Sequence, residues 1–398
     1  MFNFSEIADR AVAGTPASAD EALSILSSDD SQLLDLVAAA GRVRRHHFGM
    51  KIKVNYLVNL KSGLCPEDCG YCSQRLGSDT EILKYSWLKG DEARRQAEFG
   101  LAGGASRVCL VASGRGPSNR DVERVAGMTE DIKANNPDVE ICACLGILKN
   151  GQAERLRDAG VDAYNHNLNT AKSHYEDICS THTWDERAET VSRAHEAGMS
   201  PCSGLIVGMK ETDEQIVEAV ESLRELGSDS IPVNFLIPFE GTPLEGVNYL
   251  TPTQCLRILC AVRLMCPDKE LRMAGGREMH LKTLQPMALH VVNSLFLGDY
   301  LTSEGQAAED DLDMIVDGGF EIVGQDDARA LRDRLRAHRK AHAEAMGGNT
   351  DDAPAAEAPA TLPCGKSAPP AGASAGDGSV TVPTIRRRGA GTVLAPNA

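Results

Sequence analysis

From about residue 51 to 345, short β-branched apolar runs alternate with longer stretches whose apolar positions recur every three or four residues. The compact runs at 54–60, 107–112, 140–145, 163–167, 202–207, 230–236, 272–274 and, more weakly patterned, 291–295 have the length and content of strands. Between them, 91–99, 120–134, 185–197, 213–226 and 253–265 read as amphipathic helices. Eight strand–helix units in roughly 250 residues suit a TIM (β/α)8 barrel, although a doubly wound open sheet of the same α/β class has the same periodicity.

The flanks read differently. Residues 1–50 form a helical lead-in carrying Leu23, Ile25, Leu26, Leu33, Leu34, Leu36 and Val37, and no Gly/Pro-rich linker separates it from the 51–345 barrel. The basic run at 42–47 reads as a solvated helix face. Residues 349–398, rich in Ala, Pro, Gly and Ser with Arg386, Arg387 and Arg388 near the end, lack the apolar content to fold and are expected to be a disordered tail.

Composition narrows the class. With 42% hydrophobic and 25% charged residues in 398, the chain can bury one large core or two ordinary ones. A formal net charge of -16 argues against nucleic acid or an anionic membrane as partner. The first residues lack the basic and apolar regions of a secretory signal, and no run reaches the ~18 apolar residues of a membrane span, so the expected compartment is the cytoplasm. There, twelve cysteines are reduced thiols available to metals.

Three of them, Cys65, Cys69 and Cys72, stand in CxxxCxxC spacing. Zinc and electron-transfer clusters are usually closed by four protein ligands, whereas a [4Fe-4S] cluster on three cysteines keeps one iron open to a substrate. A zinc site completed by a distant His166 or His280 is a second reading, and inert buried thiols a third. Pro66, Glu67, Asp68 and Gly70 place the thiols on a polar, turn-rich loop, which argues against inert burial. That loop directly follows the first candidate strand, where a barrel builds its active site, and this favours the barrel over the open sheet.

Cys109, Cys142 and Cys202 lie on candidate strands whose inward faces could converge on one centre, although each alone reads as a core thiol. Alternation does not choose between Cys142 and Cys144, which share a strand face. Asn167 and Asn169 close one strand, and Asn234 interrupts another that is otherwise apolar; their amides must be tied to backbone or directed at a ligand. The segment 204–211 reads as a strand leaving through a glycine turn. No role is assigned to Cys144, Cys179, Cys255, Cys260, Cys266 or Cys364.

The segment LKSGLCPEDCGYCSQ, the CxxLG at Cys142, PCSGLIVG and RMAGGRE together resemble the biotin synthase family of radical S-adenosylmethionine enzymes, over roughly residues 5 to 345. The resemblance implies a [4Fe-4S] cluster on Cys65, Cys69 and Cys72 that cleaves S-adenosylmethionine to a radical. It also implies a [2Fe-2S] cluster on Cys109, Cys142, Cys202 and Arg277, which donates sulfur to dethiobiotin to form biotin. From chemistry alone Arg277 is a charge partner, since guanidinium stays protonated. Tyr71, Asn167, Gly204, Gly208 and Asn234 are the implied cofactor-binding positions, and Asn169 stands where many members carry Asp. An electron-donating flavodoxin or ferredoxin system, cluster-assembly proteins and a homodimer are implied as partners. Two alternatives are a radical enzyme of the methylornithine-synthase or hydrogenase-maturation type, against which the second thiol set argues, and a non-catalytic iron-sulfur protein.

Overall fold

Among the described residues ten strands form: β1 (Lys51–Lys61), β2 (Arg107–Ala112), β3 (Glu140–Cys144), β4 (Ala163–Asn165), β5 (Ser200–Cys202), β6 (Leu205–Val207), β7 (Ser230–Phe235), β8 (Glu270–Met273), β9 (Ser294–Phe296) and β10 (Glu321–Ile322). The computed structural model describes residues 3–345, so the 349–398 segment lies outside the described residues. The strands run parallel in the order β1-β2-β3-β4-β5-β7-β8-β9, and β9 pairs back onto β1 with Lys53 opposite Ser294. Because β5 and β6 both pair with β7, they are two pieces of one strand, and the sheet is a closed eight-stranded barrel. Burial on both faces explains the nearly unbroken apolar run of β2, and along β1 it takes in Asn55 and Asn59 as well.

Four of the outer helices start at reciprocal caps. Ser118, Thr183, Thr212 and Thr251 each form a capping box at the head of Asn119–Asn135, Trp184–Glu196, Asp213–Glu225 and Pro252–Met265. The lead-in helices Phe4–Val12, Ala19–Leu26 and Leu33–Phe48 all pack on Pro252–Met265. Within the basic run, Arg45, His46 and His47 are exposed as expected, but Arg44 is fully buried and donates to Val292 O (3.1 Å) and Lys51 O (2.7 Å). Among the described residues, no helix is long and apolar enough to cross a membrane.

Three strand boundaries depart from the apolar pattern. The 202–207 run breaks at Ser203–Gly204, where a Cβ on Gly204 would lie 1.9 Å from the Pro232 carbonyl oxygen, leaving room only for hydrogen. Gly204→Ala is therefore expected to destabilise the protein by at least about 1–3 kcal/mol, read as a lower urea midpoint. The 291–295 run becomes a strand only at Ser294, because the carbonyls of Val291 and Val292 accept from Arg263 Nε (3.0 Å) and Arg44 Nε (3.1 Å). β10, too short to leave a periodic signal, adds in parallel to the start of β1.

Candidate active site

The CxxxCxxC loop leaves β1 at the C-terminal end of the barrel through two left-handed residues, Gly63 (φ 69°) and Leu64 (φ 58°). Such conformations are costly for leucine and are kept where the surroundings enforce them. Here Gly63 N–H donates to Gln74 Oε1 (3.1 Å), while Cys65 N–H donates to Gln74 O (3.1 Å) and Cys65 O accepts from Leu76 (2.8 Å). Farther on, Gly70 N–H donates to Ile178 O (2.9 Å). The loop thus turns Cys65, Cys69 and Cys72 onto one wall of a cavity of about 330 Å³. Burial pushes the Cys65 thiol up and the Cys72 thiol up to about 11, outweighing the pull of Lys61 on the first and of Arg187 on the second.

The opposite wall comes from strand ends. His166, Asn167, Asn169 and Asn234 line the cavity, and Tyr71 reaches in from the loop. Asn234 Oδ1 accepts from Gly275 N–H (3.0 Å) and its Nδ2 donates to Leu205 O (3.0 Å), so this amide is tied to backbone across two neighbouring strands. Asn167 Oδ1 accepts from Asn165 Nδ2 (3.0 Å), and Asn169, itself at φ 70°, donates to the Tyr71 hydroxyl (2.5 Å). Among the described residues, His166 Nε2 is buried with no hydrogen-bond partner, and its place in the cavity lining leaves it free to meet a ligand. His280 does not line the cavity; its Nε2 meets Leu236 O at 2.7 Å.

Gly204 and Gly208 also stay out of the lining. Gly204 is required by the Pro232 backbone, and Gly208 (φ 107°) by a turn that Glu211 fastens by accepting from the N–H groups of Gly208 (2.6 Å) and Met209 (2.7 Å). Their glycine character is a matter of chain packing and turn geometry.

The second thiol set lies one residue layer deeper. Cys109 and Cys142 are directly opposite in the β2–β3 register, and Cys202 lies opposite Asn165 on β4–β5. All three are buried in one cluster with Leu57, Ala274, Phe296 and Tyr300. Val111 and Cys144, two residues further along the same strand faces as Cys109 and Cys142, line the cavity above. The Cys142 thiol hydrogen-bonds to both neighbours: this first of all pushes Cys142 up and holds Cys109 and Cys202 down, the latter pair aided by Arg272 and Arg107.

Arg272 is the cation at this centre. Its Nη1 lies 3.8 Å from Cys202 Sγ, its Nε donates to Ser294 Oγ (3.1 Å), and its Nη2 donates to Ser230 Oγ (2.9 Å) and to Glu270. Glu270 also pairs with Arg107 (3.3 Å) and Lys53 (3.6 Å), and Glu140 with the same two cations. Three cations thus face two carboxylates, and the excess positive charge beside three sulfurs fits an anionic occupant.

The expectation that Arg277 joins this set is corrected. Arg277 follows the end of β8, past Gly276, and is fully buried in a separate network. It donates to Asp311 Oδ1 (2.6 Å), Gln285 Oε1 (2.6 Å) and the Tyr300 hydroxyl (3.0 Å). Arg272, five residues earlier on the strand itself, points inward in step with Ala274. The signal was available: the other three members are strand residues, and only Arg272 of the two arginines lies on the apolar run.

Residues that drew no attention in the sequence complete the loop's surroundings. Cys179 Sγ lies 3.6 Å from Cys69 Sγ and 3.0 Å from His182 Nδ1, and buried Arg187 donates to His182 Nε2 (2.8 Å) and Asn167 O (2.8 Å). They come from a segment more than 100 residues after the motif, so spacing could not connect them.

Comparisons with known proteins agree with this geometry. Residues 60–223 match the family model of the Radical SAM superfamily, and 232–321 match that of the Biotin and Thiamin Synthesis associated domain. A biotin synthase of Kocuria rhizophila is 66% identical over 363 residues, covering 91% of this chain and 76% of that protein. One from Streptomyces avermitilis is 60% identical over 378 residues, 95% of each chain. The hydrogenase maturase HydG of Carboxydothermus hydrogenoformans shares the fold with a TM-score of 0.69 at 17% identity, over 80% of this chain and 79% of that one. Methylornithine synthase does so at 0.68 and 20%, over 82% and 99%.

Proposed function

Because the chain belongs to the biotin synthase family, radical S-adenosylmethionine enzymes that insert sulfur, we propose that its two thiol sets divide that reaction between them. The observation that carries the reading is their stacking: Cys65, Cys69 and Cys72 on the cavity wall, and Cys109, Cys142 and Cys202 with Arg272 one layer beneath it. When bound, a [4Fe-4S] cluster on the first set would supply the electron that cleaves S-adenosylmethionine to methionine and a 5'-deoxyadenosyl radical, and a [2Fe-2S] cluster on the second would supply sulfur to dethiobiotin.

The chain's own residues hold and enclose. His166 Nε2 offers a free ring nitrogen to the bound molecules, and Tyr71, braced by Asn169, shapes the entrance beside the loop. Asn234 and Asn167 keep the strand ends in fixed register, so that substrate is held between the two sets. The apolar surround of Leu57, Phe296 and Tyr300 keeps water from the deeper set. Arg107 and Arg272 compensate the negative charge of deprotonated thiols. The same reading takes a flavodoxin or ferredoxin system as electron donor, cluster-assembly proteins as suppliers, a homodimer as the assembly and the cytoplasm as the location.

The test is anaerobic reconstitution with iron and sulfide, followed by reductant, S-adenosylmethionine and dethiobiotin. Both 5'-deoxyadenosine and biotin are expected by mass spectrometry; 5'-deoxyadenosine without biotin would overturn the substrate or the second cluster. Arg272→Met and Arg277→Met separate the two arginines. Arg272→Met is expected to alter the visible spectrum of the second cluster while 5'-deoxyadenosine still forms. Arg277→Met leaves Asp311 a buried, unpaired carboxylate and is expected to cost about 3–5 kcal/mol of stability with the cluster spectrum unchanged.

A further inference from the structure

Beside the first thiol set lies a fourth sulfur that the reaction does not require. Cys179 is 5% exposed, and its Sγ meets Cys69 Sγ at 3.6 Å, Asp68 Oδ1 at 3.1 Å, Thr181 Oγ1 at 3.5 Å and His182 Nδ1 at 3.0 Å.

A cation held by Cys69, Cys179 and His182 is one chemistry such a group suggests, since the three ligand atoms lie within 4.8 Å of one another. The histidine argues against it. His182 Nε2 accepts from Arg187 Nε (3.1 Å) and Nη2 (2.8 Å), and guanidinium can only donate. The ring proton therefore sits on Nδ1, the atom a metal would need, and it is directed at Glu67 Oε2 (2.8 Å) and Cys179 Sγ.

The remaining question is where the Cys179 S–H points. Asp68 Oδ1 already accepts from the backbone N–H groups of Ser180 (3.0 Å) and Thr181 (3.2 Å). Metal ligation takes the proton from Cys69, after which that sulfur can only accept. We infer that Cys179 donates its S–H to the metal-bound Cys69 sulfur and thereby raises the reduction potential of the first cluster. This inference rests on the proposed role of Cys69 as a cluster ligand. Arg187, His182 and Cys179 then form a line of donors ending on Cys69, and a hydrogen bond to a ligating sulfur stabilises the reduced, more negative cluster. Cys179 is a positioning and tuning residue; nothing places it in contact with substrate.

The experiment is an EPR-monitored redox titration of the reconstituted full chain as wild type, Cys179→Val, Cys179→Ala and Cys179→Ser, with iron and sulfide content measured in each. Valine and alanine remove the donor, one filling the space and the other leaving it open. Both are expected to make the potential more negative, so that the reduced-to-oxidised ratio at a fixed potential falls on the order of threefold, the size a weak hydrogen bond supplies. Serine, which keeps a donor, is expected to recover part of the shift. An unchanged potential in either apolar variant with full cluster content overturns the inference, as does loss of the cluster in both, which would make Cys179 a determinant of binding instead. A normal first cluster in Cys69→Ala would sink the underlying assignment and is seen separately.

Discussion

Cys69→Ala, reconstituted with iron and sulfide, is expected to form no 5'-deoxyadenosine above background, whereas Cys202→Ala is expected to keep cleaving S-adenosylmethionine and to make no biotin. The asymmetry follows from where the two sulfurs stand. Cys69 is one of three thiols that the loop turns onto the cavity wall, and its removal leaves two, too few to hold a cluster there. Cys202 sits in the layer below, on β5, and touches nothing on the loop. Its loss takes one contact each from Cys142, from Asn165, which keeps Asn167, and from Arg272, which keeps Ser294, Ser230 and Glu270, so the barrel and the upper site stay intact. Mass spectrometry of both products in one reaction decides the matter. Biotin at the wild-type rate in Cys202→Ala would sink the sulfur-donor assignment.

Glu270→Gln is expected to destabilise the protein by about 3–5 kcal/mol, because it leaves Arg272 buried beside a neutral amide, while Arg107 keeps Glu140. Glu270 is largely buried and shared among Arg272, Arg107 and Lys53. Burial pushes its carboxyl up, and the three cations more than reverse this, holding it well below the ordinary carboxylate range. A carboxylate whose folded pKa is depressed contributes stability in full above its unfolded value, near 4.5, and loses it as pH falls toward the folded value. Wild type should therefore lose stability on acidification below about pH 4.5, and Glu270→Gln should lose less. Urea titrations at several pH values measure both; identical acid slopes would remove Glu270 from the account.

Much of this architecture was legible because apolar runs report local structure. β2 lies residue for residue on its apolar run, whereas the Ser/Thr caps at the heads of the outer helices went unread. What failed was set by contacts from far along the chain. Val291 and Val292 look like strand residues, but their carbonyls belong to two arginines from distant helices. Ser203–Gly204 breaks a strand only because the Pro232 backbone approaches there. The loop cysteines were visible through their spacing and the strand cysteines through the family resemblance. Arg272 was missed because two arginines in one short segment differ only in whether the backbone beneath them is still a strand, and Cys179 because its partner is 110 residues away.

The closure of the barrel by β9 on β1 also sets an order of events during synthesis. Lys53 meets Ser294 across 241 residues of chain, so the ring cannot shut until the segment carrying Ser294 has left the ribosome. Cys65, Cys69 and Cys72 emerge early, but the strand ends that face them arrive piecemeal, and Arg272 comes only shortly before closure. Late closure of long-range parallel pairs is slow and leaves inward faces open in the meantime. The three loop thiols and the strand cysteines Cys109, Cys142 and Cys202 are thus all synthesised, on strands that pair in succession, well before the ring can shut, whereas Arg272 joins the deeper set only near its completion.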